Sequence, residues 1–149
     1  MIGILLAFHL LSAVIWVGGM FFAYMIVRPA AGNVLEAPER LRLWSKIFKS
    51  FLPRAWISAA LLFSTGAVLL SVYSLKGAHV IIMSALAVAM LLILGHVTFA
   101  PAKRLHKFVA EANFEEAAAQ LDQIRKLIGI NTLIGLVIIV IASAGKFWF

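Results

Sequence analysis

Residues 2–27, about 51–73, about 79–100 and about 127–147 form four nearly uninterrupted apolar runs. Each has the roughly 20 residues that a helix needs to cross a hydrocarbon core. Polar positions collect in the connections between the first and second runs and between the third and fourth. The pattern predicts an all-α integral membrane protein, a four-transmembrane-helix bundle forming a single membrane domain over 1–149. The first run has no basic n-region and continues well past the usual length of a signal-peptide core, so it is expected to remain as the first span.

The two longer connections carry amphipathic patterns of their own. Pro38-Glu39-Arg40 followed by Leu41, Leu43, Trp44, Ile47 and Phe48 reads as a proline-started helix running into the second span, with Pro53 marking a kink or boundary. A second amphipathic segment is expected over about 102–124: Leu105, Phe108 and Val109 share a face, Asn113 caps a following turn, and Glu115, Glu116 and Asp122 face water. Pro101 separates it from the third span.

Composition agrees with a membrane setting: 64% of the 149 residues are hydrophobic and 13% charged, against about half apolar and a quarter charged in soluble domains. Cysteine is absent, which excludes disulfides, thiolate metal sites, iron–sulfur ligation and cysteine nucleophiles. The formal net charge of +7 lacks any basic aromatic patch, so it points to membrane lipid and topology and not to nucleic acid. All but two of the 13 Lys and Arg residues lie in the two long connections; the exceptions are Lys76 and Lys146. The positive-inside rule therefore puts the long loops in the cytoplasm and both termini outside, which in a bacterial inner membrane is the periplasm. No P-loop, GxSxG or HExxH occurs, so hydrolase and nucleotide-driven pump chemistry have no motif to rest on.

Ionisable side chains at membrane depth are costly and mark candidate sites. His9 lies about 10 Å below the outer end of the first span, and His79 opens the third; His96 follows about 25 Å further along the same helix, at 1.5 Å per residue. His106 falls in the amphipathic segment, where an interfacial role suffices. His9, Ser12, Trp16 and Met20 form one helical stripe, beside Gly18 and Gly19, which allow close helix approach. His79, Met83 and Met90 form another. Facing stripes would gather His9, His79, Met83 and Met20 into a His/Met cluster open to the outside, a donor set that suits copper. The same imidazoles serve equally as axial ligands of haem b. Against both stands the ordinary reading, in which methionines at helical spacing fill the bundle and tryptophans, Trp16, Trp44, Trp56 and Trp148, anchor or pack. His96 lies roughly 100° around the helix from His79, and Asn131, at similar depth in the fourth span, is a candidate partner that holds its tautomer. The hydroxyl and small residues of the second and fourth spans read as packing groups.

The run from His9 through Trp16-Val-Gly18-Gly19-Met20, then Arg28-Pro29, Glu39-Arg40-Leu-Arg42-Leu-Trp44, Gly77-Ala-His79 and His96-Val-Thr-Phe-Ala-Pro101 resembles the CopD-like family of bacterial membrane proteins, named for copper resistance protein D. The resemblance covers nearly the whole chain and implies copper binding, transport or resistance, beside a periplasmic copper carrier or a second copy of the chain. The layout is also similar to the HemJ type of protoporphyrinogen oxidase, a b-haem-associated four-helix membrane enzyme, with His9 matching its first-helix histidine. Gly77-Ala-His79-Val-Ile81 falls where that family has Trp-Leu-His-x-Lys; the tryptophan is missing and an apolar Ile81 replaces a cation. A scaffold subunit without a ligand is the third reading.

Overall fold

The computed structural model describes residues 1–72 and 77–147. Lys76 and Trp148, and the end of the second expected span at Tyr73, lie outside the described residues. The protein is an all-α four-helix membrane bundle: four helical segments are long and apolar enough to cross a membrane, Ile2–Val34, Ala37–Val72, Ala78–Ala110 and Phe114–Ala144. We label the helices α1 (Ile2–Val34), α2 (Ala37–Val72), α3 (Ala78–Phe99), α4 (Pro101–Ala110) and α5 (Phe114–Ala144).

Helix α1 runs beyond the 2–27 read from hydropathy and carries Arg28 and Pro29 within it. Proline has no N–H to donate and its ring crowds the preceding turn. The helix accommodates it by widening to a π turn over Ala23–Val27, with Arg28 N–H donating to the Ala23 carbonyl five residues back. A second π turn spans Val14–Gly18, beside the site described below. Helix α2 is likewise continuous through Pro53, which therefore does not mark a helix boundary. Its N-terminal amphipathic part and its apolar part form one rod, and the Arg54 guanidinium caps the carbonyl and hydroxyl of Ser50 beside the proline.

The stretch 102–124 is divided where the sequence pattern had suggested one amphipathic segment. Ala100 leaves helical geometry and Pro101 opens α4, which ends at Ala110. Ala112 takes a left-handed φ of 55°, and the Asn113 side chain accepts from Glu116 N–H at 3.4 Å to start α5. Residues 114–124 thus belong to the same helix as the fourth span. Hydropathy registers where α5 enters lipid, whereas the backbone break falls earlier, at the turn that Asn113 caps.

Two layers of packing result. At the Arg- and Lys-rich end, α4 lies across the first turns of α5 and against α2. Leu41, Trp44, Phe48, Leu105, Ala117 and Ile124 are buried there, the Trp44 and Phe48 rings stack at 5.4 Å, and Ser45 and His106 share a 2.9 Å hydrogen bond. Midway along the bundle, Trp16, Val17 and Met20 of α1 pack with Met90 and Leu94 of α3. Toward the termini α1 packs on α2 and α3 packs on α5. Ile4, Phe8, Leu11, Ile81 and Leu133 point outward, an arrangement that hydrocarbon solvates and water would not.

Candidate functional site around His9

Burying an imidazole in a membrane bundle requires that its ring nitrogens be accounted for. His9 Nδ1 lies 2.9 Å from Thr65 Oγ1 on α2. The Thr65 hydroxyl donates its one proton to the Leu61 carbonyl at 2.6 Å, so at the histidine it accepts. With the hydroxyl proton on that carbonyl, the histidine carries its own proton on Nδ1 and Nε2 keeps its lone pair. A hydrogen bond that fixes one ring nitrogen and leaves the other as a donor atom is how metal-ligating histidines are held.

The neighbouring residue of α2 makes room for this ring. A Cβ on Gly66 would stand 3.3 Å from His9 Cε1, so glycine lets the imidazole lie flat against the helix. Ser12, one turn on, returns its hydroxyl to the Phe8 carbonyl at 2.8 Å and makes no claim on the histidine. Thr65 and Gly66 look in the sequence like ordinary packing residues; only their placement opposite His9 distinguishes them.

Two buried methionine side chains come to one face of α5. Asn131 Nδ2 donates to Met20 Sδ at 3.5 Å, and Met90 Cε lies 3.2 Å from the position a Cβ would take on Gly135, one turn further along. Both methionines are buried. Asn131 Oδ1 and Trp16 Nε1 are both buried without a hydrogen-bond partner. Gly19 receives the Phe51 ring, whose Cε2 lies 2.5 Å from a Cβ built there, whereas Gly18 faces open space. Of the glycine pair, Gly19 is thus the residue that admits a neighbouring helix.

The remaining candidates stand elsewhere. His79 belongs to the α3–α5 contact, where its ring meets Gly77 and Gly145 and its Nδ1 is buried and unpartnered. His9 instead packs on α2, so the expected facing of the His9 stripe and the His79–Met83 stripe is replaced by separate helix pairings. Met83 is half-buried on α3. His96 is exposed, and the side-chain amide of Gln123, not Asn131, lies 3.5 Å from its Nε2. Among the described residues, no three His, Asp or Glu side chains form a group that could hold a metal ion. No family model, curated protein or solved structure matches the chain.

Proposed function

We propose that this chain is a CopD-like bacterial inner-membrane protein that handles copper, with both termini periplasmic, the long loops cytoplasmic, and His9 as the outer-side ligand. The observation that carries this reading is the His9 imidazole, held at Nδ1 2.9 Å from Thr65 Oγ1, a hydroxyl that itself donates to the Leu61 carbonyl; a proton on Nδ1 leaves Nε2 as the donor atom for a metal. Imidazole accepts either oxidation state of copper, and thioether sulfur favours Cu(I). Met20 beside Asn131 and Met90 beside Gly135 supply soft donors deeper in the bundle for a Cu(I) ion that enters past His9. His79 and Met83 serve on this reading as a separate outer donor pair on α3.

Titration of the detergent-solubilised protein with Cu(I) against a competing chelator tests it. Stoichiometric binding that falls at least tenfold in His9→Ala supports the reading; binding equal in the variant and the unaltered chain rejects His9 as the ligand.

A second reading, a b-haem membrane redox protein, is favoured by the same imidazole, because haem iron needs only one or two axial histidines. The donor chemistry fits: His9 would ligate through Nε2, with Thr65 holding the ring and Gly66 leaving space against it. Haem bound there would supply one-electron chemistry. Oxidised and dithionite-reduced absorption spectra of the purified protein separate the readings, since a Soret band with sharpened reduced α and β bands belongs to haem alone.

A further inference from the structure

A cavity of about 500 Å³ opens between α1, α2 and α5 at the Arg- and Lys-rich end of the bundle. Three guanidinium groups line it, from Arg28 on α1, Arg40 on α2 and Arg125 on α5, together with Tyr24, Trp44 and Leu121. All three arginines are half-buried. Their positions in the sequence are far apart, and only the packing of three helices brings them to one cavity.

Half-buried like charges repel and lose hydration, so a native structure ordinarily sets carboxylates among them. Here it does not. The ion pairs among the described residues join Lys107 to Glu111 and Lys126 to Asp122, all on exposed side chains. No acidic residue lines the cavity. Arg125 Nε is buried without a hydrogen-bond partner. Arg28 is held in place by its neighbour, its guanidinium carbon 4.9 Å from the centre of the Tyr24 ring. The Tyr24 ring in turn depends on Gly129, where a Cβ would stand 3.1 Å from its hydroxyl.

We propose that this cavity binds the oxyanion of a phosphate group, gripped by Arg28, Arg40 and Arg125. A phosphate presents several oxygens to planar guanidinium forks and so satisfies more than one arginine at once. The apolar wall of Trp44 and Leu121 lies beside the charged one, which suits an anion attached to a hydrophobic body, and basic pockets between membrane helices take lipid headgroups in this manner. The shared chemistry is phosphate; its source is an anionic phospholipid or the free ion. Neither the His9 assignment nor the copper reading enters this argument.

The test is equilibrium binding to the purified full chain with two probes, nanodiscs of phosphatidylcholine doped with phosphatidylglycerol and inorganic phosphate in detergent. Saturable retention of about one phosphatidylglycerol per chain over phosphatidylcholine identifies a headgroup site; saturable binding of inorganic phosphate identifies the free ion. Arg125→Gln should weaken the probe that binds by at least tenfold, while Lys103→Gln, outside the cavity, leaves it unchanged. If the unaltered chain saturates with neither probe, the proposal fails, and that measurement stands even where Arg125→Gln does not fold. Equal loss in Arg125→Gln and Lys103→Gln also overturns it, because it shows general surface charge in place of a site.

Discussion

His9 and Thr65 are 56 residues apart in sequence and 2.9 Å apart in space, and the direction of their hydrogen bond decides which imidazole nitrogen is free. Removing the threonine hydroxyl removes that decision. Thr65→Val is expected to cost about 1 kcal/mol of stability and, under the copper reading, to lower metal affinity about 10- to 100-fold, the usual effect of losing a partner that orients a ligating histidine. Thr65→Ser should retain both. Nitrogen NMR of the histidine tautomer, alongside a metal titration, checks the assignment; an unchanged Nδ1–H tautomer in Thr65→Val would show that another group holds the ring.

Gly66 controls the position of the same ring by its lack of a side chain. At 3.3 Å from His9 Cε1, an added methyl needs a shift of only a few tenths of an ångström, so under the copper reading Gly66→Ala should bind metal nearly normally. Gly66→Leu should displace the imidazole and reduce binding at least tenfold. Parallel titrations of the two variants measure the difference, and equal affinity in both would mean that the ring is not confined by this helix.

Gly135 stands where α1 and α3 both meet α5. A Cβ there meets Val17 Cγ2 at 2.8 Å and Met90 Cε at 3.2 Å, and both neighbours sit in the packed middle of the bundle. Gly135→Ala is therefore expected to destabilise by about 1–3 kcal/mol through overpacking, read as a lowered unfolding midpoint in mixed micelles. Gly18→Ala, where the Cβ would enter open space, should leave the midpoint unchanged. Two equal midpoints would contradict the helix packing described above.

Asn131 presents the opposite case. Its carbonyl oxygen is buried without a partner and its amide donates only to a thioether, a weak acceptor. Replacing it with an apolar residue of similar size removes an unsatisfied group, which is ordinarily neutral or stabilising. Asn131→Leu should accordingly fold with an unfolding free energy equal to or up to about 1 kcal/mol above that of the unaltered chain. Under the copper reading it should also retain less Cu(I), since the Met20 thioether loses the group that orients it. A stability loss of more than about 1 kcal/mol in the same micellar unfolding assay would reveal a bond to Oδ1 that these contacts do not include.

Hydropathy along the chain determined the class of fold by itself, because lipid leaves a backbone of this length and apolarity no stable alternative to spanning helices whose hydrogen bonds close internally. It also marked His9 as an expensive residue to bury, and Pro101 and Asn113 as punctuation. The sequence did not determine helix continuity at Pro29 and Pro53, since a proline costs one hydrogen bond and the packing around it decides whether the helix runs on. Helix pairing was equally out of reach. Every span has an apolar surface compatible with several partners, so facing stripes on α1 and α3 were as good on a helical wheel as the pairings that form. Tertiary packing chose α2 for His9, giving it Thr65 and Gly66, and it carried Asn131 to Met20 and away from His96. It also drew Arg28, Arg40 and Arg125 from three helices into one cavity, because contacts between distant segments depend on interhelical packing that no local periodicity encodes.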